Sequence, residues 1–207
     1  SSISDRVMRM RLLNELIDSC PDDSEDTTFV FLKYVAYLNL CSISSEADAV
    51  NYIEKAEQLL PRLVKPELEM ALYIQKAQNL NFVNDETIRR VWVNQILEIL
   101  QTVNKAGKES SYIELASALL PQIEGLQETD SQILKTCCVN LLYNYKEDKT
   151  NCKEILEYIK CCGIICITSR SEYEKIEYDN RAFSILENFP HMSYALIKSI
   201  FYILLQY

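Results

Sequence analysis

The chain has 207 residues, 48% of them hydrophobic and 25% charged, with a formal net charge of -9 and only 3 Gly and 5 Pro. So few turn residues exclude a sheet-rich fold, which needs a turn every ~8–12 residues, and the glycines are too scattered for a phosphate-cradling loop. The acidic balance opposes nucleic-acid binding, which draws on Lys and Arg to displace counterions, and no apolar run of ~18 residues offers a membrane span.

Apolar residues recur at helical spacing from the start. Val7, Met10, Leu13, Leu16 and Ile17 form a stripe that predicts a helix over Ser4–Ser19. The polar run Pro21–Asp26 breaks it and offers a cap for a second helix, Thr27–Ile43, which is apolar around most of its circumference and is therefore expected to be buried on several sides. Ser44 or Ser45 caps a third helix ended by Pro61, and Pro66 suits the first position of a fourth that reaches Phe82. A fifth opens at Asn84-Asp85-Glu86 and runs to Lys105, with Ile88, Val91, Trp92, Ile96, Ile99 and Leu100 on its inner face.

Ser110 or Ser111 starts a sixth helix, which Pro121 ends or kinks. Thr129-Asp130 caps a seventh through Tyr145, and Thr150-Asn151 caps an eighth through Cys162. The β-branched stretch Gly163–Thr168 has no second strand to pair with and reads as helix or buried link. Two last helices, Ser171–Phe189 and Ser193–Tyr207, meet at Pro190-His191. The expected fold is all-α, a single domain over residues 1–207, built of antiparallel pairs from about nine or ten helices.

Candidate chemistry is sparse. His191 is the only histidine and sits at a helix junction, where a surface or capping role outweighs catalysis. The cysteines cluster late (Cys137, Cys138, Cys152, Cys161, Cys162 and Cys166) without a CxxC pair, and Cys162 and Cys166 at helical spacing supply at most half of a zinc site. With no secretory signal ahead of them, free thiols packed as small core residues in a reducing compartment are expected, which places the chain in the cytoplasm or nucleus. Carboxylates such as Glu172, Glu174 and Glu177 near a helix start complement its dipole. Arg89-Arg90 is the candidate for anion or partner contact, because guanidinium pairs grip phosphate or carboxylate. No catalytic residue, metal ligand or cofactor site is assigned.

Two family resemblances follow from these residues. Ala49, Ala56 and Pro61, with Ile53 between the alanines, resemble the second helix of a tetratricopeptide (TPR) unit, and Val139, Tyr143, Cys152 and Leu156 fit a second unit more loosely. More of the chain is similar to 14-3-3 proteins. Phe31–Asn39 resembles that family's LLSVAYKN signature, and Ile53-Glu54-Lys55 its IEQK. Glu86-Thr87 with Ile96–Leu100 resembles its ET…VLSLL helix, and Glu174-Lys175 with Ala182-Phe183 its EK…AF helix. The resemblances imply a right-handed array with a concave groove and a non-catalytic adaptor that binds another protein or peptide, phosphorylated ligands and a homodimer included. The family's phosphate pocket does not carry over. Leu38 stands in place of its lysine, no arginine lies between Cys41 and Val50, and its arginine-tyrosine pair falls near Pro121 and Gln122. A TPR-like scaffold subunit, a fragment of a larger helical array and a thiol- or metal-dependent helical enzyme are the alternatives.

Overall fold

In a computed structural model, residues 3–21, 26–63, 65–102, 109–144 and 152–188 are described, and every regular element among them is helical. The α-helices among the described residues are α1 (Ile3–Ser19), α2 (Thr27–Ile43), α3 (Glu46–Leu59), α4 (Pro66–Asn79), α5 (Glu86–Gln101), α6 (Glu109–Ala118), α7 (Glu128–Asn144), α8 (Cys152–Thr168) and α9 (Glu172–Asn188). Short 3-10 turns follow α3, α4 and α6 at Leu60–Arg62, Leu80–Phe82 and Leu120–Gly125. The expected last helix, Ser193–Tyr207, and His191 lie outside the described residues. Among the described residues no helix is long and apolar enough to cross a membrane.

Local chemistry explains where these helices begin. Asp26 has extended backbone and accepts from the Thr28 N–H at 2.8 Å, so α2 starts where an orphan donor is satisfied. The same bonds hold the Asp26 carboxyl below its usual range. Asp85 Oδ1 accepts from the amides of Thr87 and Ile88, at 2.8 and 3.2 Å, and so caps α5. α7 starts earlier than Thr129-Asp130 would suggest: the carbonyl of Gln127 accepts from the amides of Asp130 and Ser131, and Asp130 is buried inside the first turn. The stretch Gly163–Thr168 is the last part of α8. Its β-branched residues have modest helix propensity, but Ile164 and Ile165 are fully buried, and packing outweighs propensity.

By packing, the chain divides into two compact units, Ser1–Val93 and Asn94–Tyr207. In the first, Tyr34 Oη donates to the Leu68 carbonyl and Cys41 Sγ donates to Gln75 Oε1 at 3.3 Å, each pair 34 residues apart. A constant offset means that α2 and α4 run parallel, with α3 returning between them. Tyr34, Leu40, Ile53, Leu72 and Leu80 fill this core, and Ala36, Ala49, Ala56 and Ala77 let the helices approach closely. Lys76 is buried with them. Its Nζ lies 2.5 Å from Glu57 Oε1, and 5.4 and 5.8 Å from the ring centres of Trp92 and Tyr73. Burial pulls the Lys76 pKa down, and Glu57 pulls it partly back.

The second unit repeats the scheme with another offset. Lys135 Nζ meets Glu174 at 2.5 Å and Arg181 Nη2 donates to the Leu142 carbonyl at 3.1 Å, each pair 39 residues apart. α7 and α9 are therefore parallel, with α8 between them. Helix α6 breaks the pattern. Ser117 Oγ donates to Glu157 and Cys161 Sγ lies 3.9 Å from the Ile113 carbonyl, so α6 and α8 run oppositely, whereas a strict succession of hairpins would make them parallel. Pro121 lacks an amide donor, and the 3-10 turn around it buries Leu120 and Ile123 while redirecting the chain.

Two stability predictions follow. Gly163 lies buried within α8, and a Cβ built there meets nothing within 4 Å. Gly163→Ala should therefore raise stability by about 1 kcal/mol in urea unfolding, through helix propensity alone. Glu57→Ala takes the nearest carboxylate from the buried Lys76 ammonium and should cost about 3 kcal/mol. Lys76→Met should cost far less, because Glu57 is 38% exposed and can be hydrated.

Candidate functional site

Arg89 and Arg90 sit in α5, and adjacent helical residues diverge by about 100°. They therefore do not form one clamp. Arg89 Nη1 lies 4.0 Å from Glu86, both arginines are half-buried, and Arg90 has polar interactions of its own. Leu38, at the position of the 14-3-3 lysine, is half-buried on α2; Pro121 is exposed and Gln122 buried in the 3-10 turn.

The thiols of Cys20, Cys41, Cys137, Cys138, Cys161 and Cys162 are buried, that of Cys166 half-buried, and all are free. Among the described residues, no three His, Cys, Asp or Glu side chains converge as metal ligands. Desolvation pushes the thiols of Cys41 and Cys137 up to about 11 and that of Cys166 up to about 12, the last helped by its hydrogen bond to Asp179. Cys138 and Cys162 are raised further still by deeper burial. A thiol held neutral is a poor nucleophile and a poor metal ligand.

One cleft, of about 350 Å³, opens between the end of α5 and α7. Leu100, Ile133 and Cys137 give it an apolar floor, and Gln101, Gln132, Thr136 and Asn140 ring it with amides and a hydroxyl. Such a lining accepts an apolar side chain and hydrogen-bonds the backbone around it.

Among the described residues of this unit, the outer face of α9 carries three exposed large apolar side chains. Its inner face, Tyr178 and Ala182, is buried on α8, and its rotation is fixed by Lys135–Glu174 and by Arg181, whose guanidinium lies over the rings of Tyr158 and Tyr178. The Lys135 ammonium and the Ser169 hydroxyl hold the Glu174 carboxyl below its usual range. Tyr173, Ile176 and Phe183 then point outward, 79%, 59% and 44% exposed. At about 100° per residue they share an arc of about 80°. On that wheel Glu172 and Asp179 lie along one edge and Glu177 along the other, all exposed. α9 thus has two apolar faces, an inner one spent on the core and an outer one bordered by carboxylates. A second exposed apolar set, Val7, Met8 and Leu12, lies on α1.

In the sequence the α9 face is masked by carboxylates that suit a first helical turn. A wheel of EYEKIEYDNRAFSILEN separates the two apolar arcs and would have exposed it. Comparison with protein-family models, curated proteins and solved structures returns no match for this chain.

Folding keeps the Cys41 and Cys137 thiols neutral, so their contribution to stability is fully present below the unfolded thiol value near 9.0 and is lost as pH rises through about 11. Chemical denaturation should accordingly show stability falling above pH 9, and Cys137→Ser should flatten that fall. Alkylation of native protein at pH 8 should be far slower than that of the unfolded chain.

Proposed function

We propose that this chain is a non-catalytic, protein-binding helical module whose ligand is an apolar helix with basic flanks. The observation that supports this reading is the outer face of α9. Three large apolar side chains stand in water on a well-packed helix, between rows of carboxylates. Exposing them weakens solubility without helping the core, a cost that a binding partner would offset. An amphipathic helix with apolar residues at i, i+3 and i+10 matches the spacing of Tyr173, Ile176 and Phe183, and its Lys or Arg residues match Glu172, Glu177 and Asp179.

The adaptor reading that accompanies the 14-3-3 and TPR resemblances agrees with this choice of ligand better than a phosphopeptide does. A dianion needs converging cationic donors, and the α9 face offers carboxylates. The 34-residue offset between α2 and α4 equals the repeat length of TPR proteins and favours the helical-repeat form of the reading. The 39-residue offset of α7 and α9 and the reversed α6 favour a degenerate array over a regular one.

A synthetic amphipathic helix with Lys and Leu at these spacings should bind with micromolar affinity in fluorescence anisotropy. Ile176→Asp with Tyr173→Asp should weaken it at least tenfold with little change in the thermal melt, since these side chains are 59% and 79% exposed. Unaltered binding by the double variant would refute the assignment.

A further inference from the structure

The cleft at the end of α5 carries a chemistry different from that of the α9 face. No charged side chain lines it, although 25% of the chain is charged. On α7 it follows one stripe, with Gln132, Thr136 and Asn140 at successive turns and Ile133 and Cys137 beside them. The uncharged character extends past the cleft. From Val139 round through Thr136 to Cys137, an arc of about 160° of α7 bears no Asp, Glu, Lys or Arg. That arc includes Tyr143, which is 85% exposed. Among the described residues of α5 and α7, the neighbouring charges lie outside the cleft. Glu128 is engaged by Arg170 at 2.6 Å and Lys135 by Glu174 at 2.5 Å, and Glu98 stands a turn before Gln101.

The polar rim restricts the ligand further. Gln132 Nε2 donates to the Thr168 carbonyl at 3.2 Å and to Glu128 at 3.3 Å, which leaves its carbonyl oxygen to offer. Thr136 donates its hydroxyl to the Gln132 backbone carbonyl at 2.9 Å and is left to accept. The carboxamides of Gln101 and Asn140 are exposed and, among the described residues, without a hydrogen-bond partner; each supplies donors and acceptors. A matching ligand brings N–H and C=O groups without charge, and an apolar group between them. An extended peptide offers these in alternation. A helix does not, because its N–H and C=O groups are bonded to one another. Every regular element among the described residues is helical, so a second copy offers no described strand to fill the cleft.

We propose that the cleft binds an extended, uncharged segment of another protein, with one large apolar side chain seated on Leu100, Ile133 and Cys137 and the flanking backbone bonded to Gln101, Gln132 and Asn140. A volume of about 350 Å³ suits one such side chain and the peptide groups on either side of it. From Gln132 to Tyr143 the helix rises about 16 Å, the span of about five extended residues, so the same segment reaches the exposed Tyr143 ring. The ligand is the opposite of the one α9 takes: a strand without charge rather than a helix with basic flanks.

Blocked pentapeptides, acetyl-Ser-Gln-X-Gln-Ser-amide with X as Leu, Met, Phe or Tyr, test this in heteronuclear NMR titrations. One anchored side chain implies a Kd of about 0.1–1 mM, so titration to about 5 mM reaches saturation. At least one peptide should bind saturably and shift the amides of Ile133, Thr136 and Asn140. Gln101→Ala with Asn140→Ala should weaken it about fivefold or more with little change in the thermal melt, since both side chains are exposed. Thr136→Trp, whose ring would fill the cleft, should block binding as well. Methylating the backbone nitrogens beside X should abolish binding while leaving the apolar side chain in place. Tyr173→Asp with Ile176→Asp should leave it unaltered, which keeps this outcome independent of the α9 reading. No saturable binding by any of the peptides, equal binding of the methylated form, indifference to the Gln101 and Asn140 substitutions, or the same α7 shifts from the helical Lys-Leu peptide would overturn the proposal.

Discussion

The orientation of α9 in the second unit depends first on one side chain, Arg181. Its guanidinium donates to the Leu142 carbonyl at 3.1 Å, in the last turn of α7, where helix geometry leaves acceptors without internal partners. A cation there also meets the negative end of the α7 dipole, and it lies over the rings of Tyr158 and Tyr178. With Lys135–Glu174 nearer the start of α9, this bond pins the helix at two points along its length. Rotating α9 by one residue would break both contacts and carry Tyr178 out of the core. What α9 shows to solvent is therefore a consequence of what it must bury.

The first unit uses the same device with different chemistry. There the register of the parallel pair is set by Tyr34 reaching the Leu68 carbonyl and by the Cys41–Gln75–Asn79 group, in which Asn79 Nδ2 donates to Cys41 Sγ at 3.4 Å. Polar atoms placed this deep have value only when satisfied, and a shift of register would strand them. Apolar packing supplies most of the stabilisation in both units. These few bonds choose among the many ways in which helices of similar surface could stack.

Much of this fold was legible in the sequence, for identifiable reasons. The limits of α2 follow from Asp26 at one end and Ser44-Ser45 at the other, and Pro66 marks the start of α4. The α6–α7 connection was not legible, because Pro121 announces a break without saying in which direction the chain leaves it. The start of α7 differs because a backbone carbonyl, that of Gln127, does the work for which Thr129 and Asp130 were the obvious candidates. At the site level, Arg89-Arg90 drew notice as neighbours in sequence, yet helices join residues three and four apart. Tyr173 and Ile176 are three apart and Phe183 lies two turns further along the same face, a signal hidden by the first apolar arc of α9, the one that the core consumes.

The buried thiols carry a consequence for the life of the protein after it unfolds. Within the fold, the sulfurs of Cys138 and Cys162 are kept protonated by their apolar surroundings, and oxidants attack the thiolate. Once the chain opens, all eight cysteines lie on one flexible polymer, where any of them can be joined to any other. Heat damage in air would then become irreversible through scrambled cross-links rather than through loss of the native contacts themselves. The same residues that pack as quiet small groups would set how long the protein ages gracefully, and recovery after thermal stress would depend on the supply of reductant.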